Sequence, residues 1–195
     1  MTPEHALRAG QPVLLPFDTV YGLACEPHHE DSTLRLYELK RRAPTQPTAL
    51  VAASVERLAE LLPELPDEAQ ALLPGALTLV VANPGHRFPW LTGTSLDKLG
   101  VRVPDLAGPT RAALDALGAV VATSANLPGK PDPRRLDDVP QHIRAGVAVE
   151  VDGGELPGTP STVVDITGSE PRILREGAVP AAEILRRLQA SVRSS

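Results

Sequence analysis

The sequence predicts an α/β protein built on a mixed sheet with flanking helices, and three observations carry that prediction. Short apolar, β-branched runs alternate along the chain with segments whose apolar residues recur at helical spacing. A helical pattern at 109–117 leads directly into an apolar run at 119–123, as in an α/β unit. The last apolar runs, at 162–166 and 171–174, leave little room for a crossover helix, so antiparallel pairs must join parallel ones.

The first element is the buried run PVLL at 12–15, a strand over 13–15 that ends at Pro16. A helix follows at 32–41, with Leu34, Tyr37 and Leu39 or Lys40 spaced along one face and the cations Lys40, Arg41 and Arg42 at its C-terminal end. Cations there also complement the helix dipole, which is reason enough for them without a ligand. The apolar run at 49–53 predicts a strand, and the patterns at 55–62 and 67–73 predict two short helices. Strands are expected at 77–82 and 99–103; in the second, alternation puts Val101 and Val103 on one face and Arg102 on the other, toward solvent or a ligand cleft. After the pair 109–117 and 119–123 come strands at 147–151, 162–166 and 171–174 and a helix at 180–191. The loop GGELPGTPS at 153–161 has no hydrophobic pattern of its own and suits either a lid over a site or a long connection.

At 195 residues the chain fits one domain, expected over 1–188, with a polar tail at 189–195 expected to fray. It has no apolar run long enough for a membrane span, and its start lacks the apolar region of a secretory signal, so a cytoplasmic location is expected. Cys25 is the only cysteine, which excludes an intramolecular disulfide and a cysteine-built zinc cluster; it reads as a small buried hydrophobe. His28 and His29 are adjacent, without the spacing that puts two ligands on one helix face, and read as loop residues. The net charge of −5 argues against a broad basic surface for nucleic acid. Lys40, Lys98 and Lys130 are the only lysines in a chain that otherwise uses arginine, which gives Lys40 added weight.

Polar groups cluster where strands end. PFDTVYGL at 16–23 places Asp18, Thr19 and Tyr21 after the first apolar run, where ligand contacts are common in α/β proteins. TSAN at 123–126 sets Thr123, Ser124 and Asn126 at another strand exit, and Ser161 and Thr162 follow the Gly/Pro-rich loop. Each cluster could also serve only to form a turn. Neither GxxxxGK[ST] nor GxGxxG occurs, and Gly129-Lys130 is followed by Pro131, so a triphosphate would need isolated cations converging from distant segments. Lys40, Arg42, Arg102 and Arg175 are the candidates.

Taken in order, PFDTVYGL, LKRR at 39–42, LPGALTLV at 73–80, VRVP at 101–104, TSAN, STVVD at 161–165 and ILREG at 173–177 resemble the motifs of the YrdC-type threonylcarbamoyl-AMP synthase family, in its short, single-domain form. The resemblance covers residues 14–177. It implies a twisted open sheet around a large basic cavity and a reaction that joins L-threonine, bicarbonate and ATP into L-threonylcarbamoyladenylate and pyrophosphate, for the threonylcarbamoyl modification of tRNA adenosine. It implies that Lys40, Arg42 and Arg175 act in catalysis and, with Arg102, Thr123, Ser124 and Asn126, bind ATP; Thr19, Tyr21, Thr78, Ser124 and Ser161 would hold threonine. Mg²⁺ would arrive with ATP, with no protein metal site. The implied partners are the threonylcarbamoyl transferase machinery, by transient handover, and tRNA, by weak contact.

The chain departs from the family pattern at Phe17, where Thr is common, at Ala76, where Pro often completes PGP, and at Thr123, where many members have Pro. The segment at 43–53 lacks a histidine that longer members carry, and with the sequence stopping soon after Gly177 the short form of the family is the expectation. Two other functions fit some of the features. One is a carbamoyl-adenylate step, as in hydrogenase-maturation carbamoyltransferases, although the zinc-finger and acylphosphatase segments of those chains are missing. The other is a double-stranded RNA or tRNA binding module with a concave basic face.

Overall fold

The computed structural model describes residues 1–192. Its elements are α1 (Pro3–Arg8), β1 (Val13–Pro16), β2 (Tyr21–Cys25), α2 (Glu30–Lys40), β3 (Ala49–Ala52), α3 (Val55–Leu61), α4 (Asp67–Leu72), β4 (Leu77–Ala82), β5 (Lys98–Arg102), α5 (Gly108–Leu117), β6 (Ala119–Ser124), α6 (Gln141–Ala145), β7 (Val149–Glu150), β8 (Thr162–Asp165), β9 (Arg172–Arg175) and α7 (Ala181–Val192). The strands form one open mixed sheet in the order β7-β1-β2-β6-β3-β5-β4-β8-β9. β1/β7, β3/β5 and β4/β8 are parallel, and the other neighbours, the expected β8/β9 pair included, are antiparallel.

Alternation along the strands sorts the core into two layers. Leu14, Leu23, Leu50, Val121, Leu79 and Val101 face the layer covered by α2, α3, α4, α6 and α7. Val13, Leu15, Ala24, Val51 and Val120 face the other layer, with Ala113 and Leu114 of α5 and Ala6 and Leu7 of α1. α1 and α5 cover that second face at the β7-β1-β2-β6 end. Toward β3, β5, β4 and β8 the same face presents Thr78, Val80, Lys98, Gly100, Arg102 and Val163, all half-buried.

Several elements differ from the sequence expectation. Tyr21–Cys25 was expected to be the exit from a strand; it is itself β2, paired antiparallel with β1 in a hairpin with Pro16 opposite Tyr21. All five of its residues are buried, so it shows none of the alternation that marks a one-sided strand. α1 was also missed, although Thr2 accepts from the His5 N–H and Pro3 occupies the first turn, both N-terminal signals. In α2 the buried face is Ser32, Thr33, Leu36, Tyr37 and Lys40, one step around from the expected Leu34 face. α7 runs to Val192, against an expected helix at 180–191, and residues 193–195 of the tail expected to fray lie outside the described residues.

The loop at 153–161 is tied down along its length. Tyr21 Oη accepts from the Gly153 N–H at 2.9 Å and lies 2.8 Å from the Gly154 carbonyl oxygen. The Leu156 N–H donates to Arg134 O at 2.8 Å, and the Gly158 N–H to Thr19 O at 2.9 Å. Cys25 is buried, and burial pushes its thiol up to about 12, as befits a core residue. His28 and His29 are exposed.

Candidate functional site

The partly open face of the sheet forms the floor of a cavity of about 440 Å³. Ala49, Val51, Gly100 and Ala122 make a small-residue floor, and Phe17 closes one end by lying over Gly22. A Cβ on Gly22 would stand 2.5 Å from the Phe17 ring, so this close approach requires glycine. Four cationic side chains, Arg42, Lys98, Arg102 and Arg175, line the wall together with a single carboxylate, Asp165. An acidic chain thus concentrates positive charge in one concave place.

Of the residues singled out in the sequence, Thr19, Arg42, Thr78, Arg102, Thr123, Ser124, Ser161 and Arg175 line this cavity. Strand order brings them together. β4 lies beside β8, and the Thr78 and Ser161 hydroxyls meet at 2.8 Å. β9 lies beside β8, and Arg175 donates to Ser161 O at 2.7 Å. Gly177 makes that approach possible, because a Cβ there would stand 2.2 Å from Pro160 O.

Arg42 follows α2, whose end is set by Arg41 in the left-handed conformation. Its guanidinium is held on three sides: by Gln46 Oε1 at 3.1 Å, by Thr123 Oγ1 at 3.3 Å and by Pro47 O. It also lies 5.8 Å from the Tyr37 ring centroid. Burial lowers its pKa, with Tyr37 opposing. Arg102 donates from Nη2 to Asp18 and, at 3.1 Å, to Thr19 Oγ1.

Lys40, Tyr21 and Asn126 are not part of the wall. Lys40 is only 4% exposed. Its Nζ donates to Ser124 O and, at 3.2 Å, to Asn126 Oδ1, so it fixes the TSAN turn from behind. Burial, then the charge of Arg42, push its pKa down to about 8. Asn126 Oδ1 also accepts from Ser124 Oγ at 2.7 Å, and its amide donates to Lys130 O at 2.6 Å. Tyr21 is fully buried, with its hydroxyl committed to the loop at Asp152, Gly153 and Gly154. The face alternation of β2 turns it away from the cavity that Gly22 lines.

Sequence reasoning missed Lys98 and Asp165 as members of the wall. Lys98 Nζ lies 2.8 Å from Asp165 Oδ2, and Thr167 Oγ1 donates to Asp165 Oδ1 at 2.6 Å. Burial alone would raise the Asp165 carboxyl, but the Lys98 and Thr167 hydrogen bonds outweigh it and hold it at about 2. Strand periodicity could have found Lys98, since it shares a face with Arg102 four residues on. Among the described residues, no group of three or more His, Cys, Asp or Glu side chains gathers as a metal site, and no helix is long and apolar enough to cross a membrane.

Comparison with known proteins gives the fold a context. The Sua5/YciO/YrdC family model, described as telomere recombination, matches residues 5–177. The threonylcarbamoyl-AMP synthase of Pyrococcus abyssi is 34% identical over 91% of this chain, which spans only 54% of that protein's length. The threonylcarbamoyl-AMP synthase of Stutzerimonas stutzeri is 35% identical over 85% of this chain and 91% of its own length. The crystal structure of P. abyssi Sua5 complexed with L-threonine superposes with a TM-score of 0.84 at 34% identity, covering 94% of this chain and 55% of that one. With the motifs gathered around one cavity and the match running through nearly all of the chain, the protein belongs to the Sua5/YciO/YrdC family.

Proposed function

We propose that this protein is an L-threonylcarbamoyladenylate synthase, which makes threonylcarbamoyl-AMP and pyrophosphate from L-threonine, bicarbonate and ATP. The observation that carries the proposal is the convergence of eight motif residues, from Thr19 to Arg175, on one cationic cavity. The relatives' names and the threonine complex of P. abyssi Sua5 support the same chemistry.

The threonine amine adds to the bicarbonate carbon and a C–O bond breaks with loss of water to give a carbamate; a carbamate oxygen then attacks the α-phosphorus of ATP as the bond to pyrophosphate breaks. No protein nucleophile is needed, so positioning and charge neutralisation do the work. Thr19, Thr78, Ser124 and Ser161 supply hydroxyls for the threonine carboxylate and carbamate. Arg42, Arg102 and Arg175 neutralise the phosphates, and Thr123 holds Arg42 in place. Lys40 and Asn126 act through the TSAN turn, fixing Ser124 and adding a positive charge beneath it. Tyr21 acts at one remove, by anchoring the loop that ends at Ser161.

Mg²⁺ would arrive with ATP as part of the substrate and would offset phosphate charge; the one carboxylate of the wall, Asp165, is already paired with Lys98. The labile product passes to the tRNA threonylcarbamoyl transferase machinery in the cytoplasm, and any direct tRNA contact is weak, in keeping with the acidic charge balance. Incubation with Mg²⁺, ATP, L-threonine and ¹³C-bicarbonate, followed by mass spectrometry, tests the reaction. A threonylcarbamoyl-AMP adduct carrying the label is expected; an AMP adduct without it, or unconsumed ATP, would contradict the proposal.

A further inference from the structure

Asp18, in the turn between β1 and β2, and Arg102, at the end of β5, form an ion pair in which the side chains are 13% and 12% exposed. Arg102 lines the cavity whereas Asp18 does not. Arg102 Nη2 is shared between Asp18 and Thr19, and its buried Nε has no hydrogen-bond partner within the described protein.

We infer that Asp18 is a positioning residue: it aims Arg102 into the cavity and offsets the repulsion between Arg102 and Arg175, so that two arginines can serve one anionic ligand. The inference rests on the reading of the cavity as an ATP site.

Three features separate this role from that of an ordinary stabilising ion pair. The pair is costly to bury: desolvation raises the Asp18 carboxyl despite Arg102, and desolvation lowers Arg102 despite Asp18. Arg175 is near enough to lower Arg102 further, while Arg175 itself is tied to Ser161. Without a carboxylate beside it, Arg102 would be drawn out of the wall by that repulsion and by the hydration available at the cavity mouth. Backbone N–H groups of Asp18 and Asp105 favour the charged carboxylate, against burial and the nearby charge of Asp105.

The test is a double-mutant cycle on the full chain, with Mg·ATP binding read by calorimetry. Asp18→Asn should weaken ATP binding about tenfold, as expected for a lost charge-assisted hydrogen bond. Made in an Arg102→Met background, the same change should alter binding less than about twofold, because its target is gone. Asp18→Glu should regain most of the affinity. The double variant removes both buried charges and serves as a fold-safe control if either single variant is unstable. Equal losses in both backgrounds, or tighter binding in Asp18→Asn, would overturn the positioning role while leaving the cavity reading intact. Loss-free binding in Arg102→Met, or no ATP binding by the unaltered protein, would overturn the cavity reading and this inference with it.

Discussion

Thr78 on β4 and Ser161 just before β8 share a hydrogen bond of 2.8 Å between their hydroxyls, although 83 residues separate them. The parallel pairing of β4 with β8 places them side by side, and β9 then delivers Arg175 to the Ser161 carbonyl. One serine thus joins a hydroxyl pair to a cation across three adjacent strands.

Ser161→Ala removes the hydroxyl that Thr78 meets while leaving the carbonyl that Arg175 uses. The expected stability loss is about 1 kcal/mol, the ordinary net value of such a bond. The expected kinetic effect is a rise in KM for threonine that exceeds any fall in kcat, measured by pyrophosphate release against threonine concentration.

Lys40 gives a pH signature. Its pKa is about 8 in the folded protein against an ordinary value of 10.5, so between those pH values the unfolded chain binds more protons than the folded one. Stability contributed through Lys40 therefore rises with pH across that window, and the full burial penalty is present below about pH 8. Denaturant unfolding at several pH values should show this rise in the unaltered protein and its loss in Lys40→Met. The variant also leaves Ser124 O and Asn126 Oδ1 without their ammonium donor, a cost of about 1–3 kcal/mol, and should lose most synthase activity.

Much of the fold was legible in the sequence because the strands are short apolar runs set off by turn residues, and β4 and β5 alternate cleanly. LTLVVA at 77–82 is β4 as expected, and Arg102 lies on the face opposite Val101 and Val103 as the alternation of VRV requires, a face left open between solvent and a cleft that the fold makes the cavity's. β2 was not legible, because YGLAC is buried on both faces and its glycine serves the Phe17 ring rather than a turn. The distinction between wall and support was not legible either. Lys40 and Ser124 belong to motifs of equal prominence, yet only the fold puts Ser124 in the wall and Lys40 behind it.

Two glycines near the cavity should respond oppositely to alanine. Gly177→Ala puts a Cβ 2.2 Å from Pro160 O and 2.7 Å from the Ser161 backbone, so it should cost about 1–3 kcal/mol and displace Arg175. Gly100→Ala meets nothing closer than 3.6 Å, so its stability should be unchanged or raised by up to about 1 kcal/mol. Thermal unfolding of the two variants checks both directions.

Asp165 sets an acid limb. Its folded pKa of about 2 lies below the ordinary 3.8, so its stabilising contribution is full above the ordinary value and is lost as pH falls through about 2. Asp165→Asn should be less stable than the unaltered protein at neutral pH, with the difference closing as the pH falls from about 4 to about 2. Unfolding curves across that range measure it; a gap that stays constant would mean that the Lys98 pairing contributes nothing through charge.

The most direct test of the synthase proposal is pyrophosphate release by the purified chain with Mg·ATP, in the presence of both L-threonine and bicarbonate, of each alone, and with L-serine in place of threonine. Release that requires threonine and bicarbonate together, and that falls sharply in Arg175→Ala while the variant stays folded, is the predicted result. Release independent of threonine, or none under any condition, would contradict the assignment of the cavity as a threonylcarbamoyl-adenylate site.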